Sequence, residues 1–172
     1  MGLSVLTLAA FAIFPICVAY AAVSDLTSMT IPNWIPVTLV AGFMALAPFV
    51  GLDLWTIGMH LAVAAAVLLI GFGCFAMGWM GGGDAKLAAA IVLWFGPVDG
   101  VAFVAFSAIL GGGLTILLVA MRRSIPQGVF AVLRAPWLAR LHDPKEGVPY
   151  GVALAAAALV LYPHTAWIAL AS

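Results

Sequence analysis

Two aspartates of this chain have surroundings that favour chemistry. Asp84 follows the glycines 81–83 and lies between apolar segments, in a chain that is 66% hydrophobic and 7% charged. Placing a carboxylate at bilayer depth costs about 2.5–3.5 kcal/mol of free energy on insertion scales, so its presence there predicts a function. Asp25 ends an earlier apolar segment. Two neighbouring carboxyl groups cannot both ionise, and such a pair supplies a general base and a general acid for peptide hydrolysis.

Membrane helices must position these aspartates. A spanning helix needs about 20 apolar residues, and the hydropathy pattern predicts six such helices, at residues 3–23, 32–51, 56–77, 83–96, 98–120 and 148–170. The first has no Lys or Arg before it, unlike a secretory signal peptide, and is expected to be retained. We therefore predict an all-α fold, a bundle of six transmembrane helices that forms one domain over residues 1–172, with the fourth helix against the first.

The basic residues predict the orientation of the bundle. Five of the six lie in the loop 121–147: Arg122, Arg123, Arg134, Arg140 and Lys145. The positive-inside rule places that loop in the cytoplasm, and counting crossings back from it puts Asp25 and Asp84 at the cytoplasmic face. The apolar residues between the arginines indicate a segment that lies on the membrane, interrupted at Pro136. Five tryptophans fall near predicted interfaces, as in an aromatic belt: Trp34, Trp55, Trp79, Trp94 and Trp167.

The composition argues against other classes of site. The formal net charge is zero, which argues against nucleic acid as a partner. Cys17 and Cys74 fall in predicted helices, without a Cys-x-x-Cys motif or a Cys/His cluster. We therefore predict no metal site and no cofactor, and we expect both thiols to pack as small apolar groups. His60 has no His, Cys or Ser partner at motif spacing and is expected to be structural.

Three separated blocks of the sequence resemble one family. Residues 81–87 (Gly-Gly-Gly-Asp-Ala-Lys-Leu) look like the Gly-x-Gly-Asp motif of membrane aspartic proteases, in the form found in type IV prepilin peptidases. Asp25, followed by residues 31–33 (Ile-Pro-Asn), resembles the other half of that family's signature. Residues 148–153 (Val-Pro-Tyr-Gly-Val-Ala), which open the last predicted helix, resemble a third block. A lone Gly-x-Gly-Asp is a weak signal, whereas three blocks in the same order extend the resemblance over the whole chain.

The resemblance implies an aspartic endopeptidase of the bacterial inner membrane. It would remove the short basic leader from prepilins at the cytoplasmic face, without a cofactor. By the same resemblance Asp25 and Asp84 form the catalytic dyad, and which of them is the base stays open. The implied substrate-site residues are Gly81, Gly83, Lys86, Pro32, Asn33, Pro149, Tyr150 and Gly151. The implied partners are the prepilin, the lipid bilayer and the pilus assembly machinery.

Two departures from the family pattern refine this expectation. Longer prepilin peptidases carry a cytoplasmic loop with paired cysteines and also methylate the new N-terminus, and this chain has no such cysteine pair. It therefore resembles the short form that serves Flp-type, tight-adherence pili, and we do not expect N-methyltransferase activity. Residues 26–30 (Leu-Thr-Ser-Met-Thr) also lack the Arg or Lys that relatives often carry there.

The residues alone leave two other functions open. A small proton-coupled transporter would also use intramembrane carboxylates, although transporters tend to place them near the midplane between internal repeats, and we find no such repeat here. A non-enzymatic scaffold of a pilus or secretion complex would use the two aspartates only as charges at helix ends. Such a scaffold would tolerate asparagine at both positions.

Overall fold

Helices account for all regular elements in the part of the chain that the structure describes. The computed structural model describes residues 5–125, 136–143, 146–165 and 167–168. Its helices are α1 (Val5–Ser28), α2 (Trp34–Leu46), α3 (Leu54–Ala76), α4 (Gly82–Ser124), α5 (Pro136–His142) and α6 (Tyr150–Leu161), followed by a 3-10 turn at Tyr162–His164. The predicted all-α bundle is confirmed.

The helices differ in their capacity to cross a bilayer. By length and composition, α3 and α4 are long and apolar enough to span a membrane. The apolar helical stretches Ala12–Ser28, Trp34–Leu46 and Tyr150–His164 are shorter. The apolar surface is consistent with a lipid environment, since large side chains such as Leu69, Ile70 and Ile116 are two-thirds or more exposed.

Helix α4 reverses its direction at Gly96. The sequence predicts two helices that meet at Gly96 and Pro97, and Gly96 has the non-helical angles φ 72° and ψ −168°. A straight helix would separate residues eight positions apart by about 12 Å, yet a Cβ atom on Gly100 would lie 3.1 Å from Val92 Cγ1. The two arms therefore fold back on each other, so that both ends of α4 reach the same side of the bundle.

Polar side chains satisfy the carbonyl groups that this reversal frees. Pro97 has no N–H to donate to Leu93 O, and His60 Nδ1 donates to that oxygen instead (2.8 Å). Trp167 Nε1 donates to Trp94 O (2.7 Å). An unpaired carbonyl buried in the bundle would be costly, so His60 has the structural role that its isolation in the sequence suggests.

An aromatic cluster at this end of the bundle joins α1, α2 and α4. Trp94 is fully buried, with its ring centroid 5.3 Å from that of Phe14 and 4.5 Å from that of Trp167. Its Nε1 donates to Leu39 O on α2 (2.9 Å). Trp94 and Trp167 therefore belong to the core, and the expectation that they form an interfacial belt is wrong. The other three, Trp34, Trp55 and Trp79, are half or more exposed, as a belt requires.

Several helix ends differ from the sequence-based bounds. Helix α1 continues to Ser28, so Asp25 lies inside its last turn, and α2 ends at Leu46 rather than at residue 51. Pro136 begins a short helix, at a first helical position where a proline loses no hydrogen bond. Residues 126–135 and 144–145, which include Arg134 and Lys145, lie outside the described residues.

Replacing Gly96 with alanine should loosen the reversal of α4. The φ of Gly96 is in the left-handed region, and an added Cβ would overlap the imidazole of His60. We expect Gly96→Ala to lower the free energy of unfolding in detergent by about 1–3 kcal/mol. The matched control is Gly112→Ala on the same helix, where a Cβ meets nothing within 4 Å. Equal thermal midpoints for the two variants would contradict this account.

Candidate functional site

Asp25 joins the end of α1 to the beginning of α6. Its side chain is 5% exposed, and its Oδ2 accepts the backbone N–H of Gly151 at 2.8 Å. The N–H groups of a first helical turn have no partner within their own helix and favour an anion. A Cβ atom on Gly151 would lie 2.8 Å from the same carboxylate oxygen, so glycine permits this close approach.

Asp84 lies in the first turn of α4, after the glycines. The helix begins at Gly82, with Gly81 as its extended N-cap residue (φ −70°, ψ 141°). The Asp84 side chain accepts a hydrogen bond from the backbone of Gly81, as an acidic residue three positions after an N-cap often does. Its Oδ1 is buried and accepts no hydrogen bond from the described residues. Asp84 therefore has one oxygen that caps its helix and one without such a partner.

The two carboxyl groups belong to one site. The charge of Asp25 acts on Asp84, and the side chain of Ile31 lies against the glycines beside both. A Cβ on Gly83 would be 3.2 Å from Ile31 Cβ, and one on Gly151 would be 2.8 Å from Ile31 Cδ1. Ile31 thus brings together the beginnings of α4 and α6, where the two aspartates are found.

A cavity of about 620 Å³ opens beside Asp84. Its volume lies within the range usual for ligand sites. The walls come from the end of α3, the turn that follows it, the second arm of α4 and the segment before α6. The lining residues are Cys74, Gly78, Trp79, Met80, Gly81, Asp84, Thr115, Gly147, Val148 and Tyr150. Because α4 folds back at Gly96, Asp84 near its start and Thr115 near its end share this cavity.

Part of the predicted substrate-site set surrounds the two aspartates. Gly81 and Tyr150 line the cavity with Asp84. Gly151 donates to Asp25, and Gly83 contacts Ile31. Pro149 is fully buried and occupies the N-cap position of α6, so it fixes where that helix begins.

The rest of the predicted set lies elsewhere. Lys86 is two residues after Asp84, which turns its side chain by about 200° around the helix. Its Nζ donates to Asn33 Oδ1 (2.9 Å), and both residues line a separate apolar cavity between α2, α3 and α4. Pro32 lies in the turn before α2, where its carbonyl accepts the N–H of Ile35 (3.1 Å). The structure therefore does not bring these three residues to the Asp84 cavity.

Residues of the second arm of α4 enter the site without having been predicted for it. The ring of Tyr150 lies directly against Gly111, and its hydroxyl donates to Ser107 O (3.5 Å). The three glycines at 111–113 signal close packing in the sequence, but only the first of them is in such a contact. Thr115, one turn later, carries no sequence signal of its own.

The turn after Asp25 is held by hydroxyl groups. Ser24 Oγ donates to Thr30 O (2.8 Å), and the hydroxyls of Ser28 and Thr30 are hydrogen-bonded (2.8 Å). Arg140 of α5 donates to Thr27 O (3.3 Å) from the loop predicted to be cytoplasmic. Met29 has a left-handed φ of 53° at the end of α1. These bonds fix the turn that leads from Asp25 to Ile31, in a segment without basic residues.

The groups of this site that can exchange a proton with a substrate or water include the two carboxyl groups of Asp25 and Asp84. No group of three or more His, Cys, Asp or Glu side chains is gathered within the described residues. One carboxylate that accepts backbone N–H groups and one carboxyl with an unpaired oxygen can act as a base and an acid on a bound water.

Comparison with known proteins identifies one family. The model of the type IV leader peptidase family matches residues 12–116, more than half of the 172 residues. The match contains Asp25, Asp84 and the first arm of α4, whereas Tyr150 and Gly151 lie beyond it. Comparisons with curated proteins and with solved structures gave no match.

The two thiols should report on this cavity, because only one of them lines it. Cys74 lines the cavity and is partly exposed, whereas Cys17 is buried in the core at 6% exposure. In detergent, we expect a water-soluble maleimide to modify Cys17→Ala protein at least about tenfold faster than Cys74→Ala protein, since thiol reactivity follows exposure. Mass spectrometry over time measures both rates. Equal rates would mean that the cavity is closed to solvent.

Proposed function

Because the chain belongs to the type IV leader peptidase family, we propose that it cleaves the leader of a type IV prepilin with a pair of aspartates. The protein is then a membrane aspartic endopeptidase, and Asp25 and Asp84 are its dyad. The observation that carries this proposal is that two buried carboxyl groups, from α1 and α4, lie beside glycines that pack against the same side chain, Ile31, and that a cavity opens at Asp84.

The unequal hydrogen bonding of the two aspartates supports a division of labour. Asp25 accepts the backbone N–H groups of Gly151 and Val152 at the beginning of α6, whereas Asp84 accepts that of Gly81 alone among the described residues. Such donors favour the ionised form of a carboxylate. Asp84 Oδ1 is buried without a partner among the described residues, which favours the protonated form. In this proposal Asp25 is the base that deprotonates water, and Asp84 is the acid.

The proposed reaction follows from these roles. Asp25 takes a proton from the water while the water oxygen bonds to the scissile carbonyl carbon. Asp84 donates its own proton to the carbonyl oxygen. The tetrahedral intermediate then loses its C–N bond, and the leaving nitrogen receives the proton held by Asp25 while Asp84 regains its own. One water is consumed, and both carboxyl groups return to their starting forms.

The proposed substrate is a prepilin, and its chemistry indicates where the cleaved bond would lie. A prepilin is an apolar helix with a basic leader, so the bond to be cut lies where the helix leaves the membrane. The glycines at 81–83 expose backbone beside Asp84 and admit an extended peptide. The basic residues Arg122 and Arg123 end α4 on this side, and the positive-inside rule makes that side cytoplasmic. We infer cleavage at the cytoplasmic face of a bacterial inner membrane, with Flp-type prepilins as the substrate class.

Replacing either aspartate with asparagine tests the dyad. Each substitution keeps the side-chain shape and removes the titrating group, so we expect processing of a co-expressed Flp-type prepilin to fall by about 10²- to 10⁴-fold. The matched control is Asp99→Asn, which removes a carboxylate from the second arm of α4. A mobility shift of the prepilin measures cleavage, and a membrane-fraction blot measures the amount of each variant.

The result distinguishes the proposal from its alternatives. Normal processing by either asparagine variant would make that residue a helix-end charge and would exclude the dyad mechanism. Failure of the unaltered protein to cut its cognate prepilin would favour a scaffold. Proton uptake into vesicles that is lost with the same substitutions would favour a transporter.

The dyad also predicts a bell-shaped dependence of the cleavage rate on pH. At low pH both carboxyl groups are protonated and no base is present, so the rate falls as the pH decreases. At high pH both are ionised and no acid is present, so the rate falls as the pH increases. Initial rates on purified prepilin in detergent, over a pH range in which the enzyme stays folded, measure this profile. A rate that rises steadily with pH would contradict a mechanism that needs one protonated and one ionised carboxyl group.

A further inference from the structure

The guanidinium of Arg122 is hydrogen-bonded to the segment that forms one wall of the Asp84 cavity. We infer that Arg122 is a positioning residue, which holds the segment 146–150 in place so that Gly147, Val148 and Tyr150 face the cavity. The kinetic consequence of this inference rests on the proposed function. The structural consequence does not, because it concerns only the shape of the cavity.

Three hydrogen bonds from one side chain carry the inference. Arg122 Nε donates to Leu141 O (2.9 Å), and its Nη2 donates to Glu146 O (3.2 Å) and Gly147 O (2.9 Å). The guanidinium thus links the end of α4 to the end of α5 and to the backbone of residues 146–147. Leu141 lies at the C-terminal end of α5, where carbonyl groups have no partner within the helix.

Arg122 lies on the face of α4 that is turned toward the cavity. It lies seven positions after Thr115, and seven residues make almost two full turns, so both residues are on the same face of the helix. Thr115 lines the cavity, and Gly111 on this face contacts the ring of Tyr150. One face of the second arm therefore contacts the Tyr150 end of the segment and, through Arg122, its 146–147 end.

The segment needs such an anchor because it has little regular structure. Residues 146–149 lie outside any helix, and Gly147 permits many backbone conformations. Ordering one residue costs roughly 1–2 kcal/mol of conformational entropy. At its far end the segment is held by the hydrogen bond of Gly151 to Asp25. Without Arg122, the near end keeps the hydrogen bond of the Glu146 N–H to Asp143 O (3.2 Å) but loses its link to α4, so Gly147 and Val148 can leave the cavity wall more often.

Arginine suits this position better than lysine does. The guanidinium presents several N–H groups in a rigid fork and can reach three carbonyls at once. A lysine ammonium keeps the charge but loses the fork. The next residue, Arg123, carries the same charge at the same end of α4 and is exposed. It therefore provides a control for effects of charge and membrane orientation.

The first experiment measures the cavity without reference to catalysis. In a Cys17→Ala background, Cys74 is the remaining thiol and lines the cavity. We expect Arg122→Gln to raise the rate of Cys74 modification by a water-soluble maleimide at least about threefold, because a loosened wall opens more often. Arg123→Gln should keep the rate of the background protein. Equal rates for the two glutamine variants would overturn the inference, whether or not the protein proves to be a peptidase.

The second experiment measures prepilin cleavage by the same variants. Because Gly147 and Val148 line the cavity and carry no group that can transfer a proton, we expect Arg122→Gln to raise KM about tenfold and to change kcat by less than about threefold. A lower amount of folded enzyme would reduce the maximal rate and leave KM unchanged. We expect Arg122→Lys, which retains the charge needed for insertion, to give an intermediate KM. A KM that is unchanged in both Arg122 variants, or raised equally in Arg123→Gln, would overturn the positioning role.

Discussion

The reversal of α4 at Gly96 is the constraint on which the site depends. Only a residue without a Cβ can take the left-handed φ of Gly96 against the imidazole of His60. Pro97 frees a carbonyl at the same point, and His60 satisfies it. Without the reversal, the two ends of α4 would lie at opposite sides of a bilayer. With it, Asp84, Thr115 and Arg122 lie on one side, where α6 begins.

Burial of two carboxyl groups is tolerable because helix beginnings surround them. Asp84 caps its own helix through Gly81, and Asp25 accepts from the first turn of α6. Backbone N–H groups at helix N-termini compensate negative charge without adding a mobile cation. The glycines at 81, 83 and 151 have a second function in this arrangement. They remove the Cβ atoms that would keep the carboxylates and Ile31 apart.

The two sides of the first arm of α4 serve different environments. Asp84 faces the cavity shared with α6, whereas Lys86 faces the apolar cavity between α2 and α3, with its ammonium on Asn33. This short segment therefore contains one carboxyl group that faces the cavity and, two residues later, a lysine that links α4 to the residue before α2.

The sequence by itself determined the fold class and indicated most of the helical segments, because hydropathy is a local property of a chain. The cost of a buried charge made the two aspartates its candidates for a site. The sequence also indicated the break at Gly96 and Pro97.

Only the tertiary structure decided which residues meet. Lys86 and Asn33 are close to the aspartates in sequence but turn away from Asp84, since helix periodicity separates neighbours in the chain. Thr115 and Cys74 carry no motif, and they line the cavity because the bundle folds distant helix ends together. Arg122 bonds to a segment of the cavity wall for the same reason. Trp94 resembles an interfacial residue in sequence, and packing against α1 and α2 makes it core.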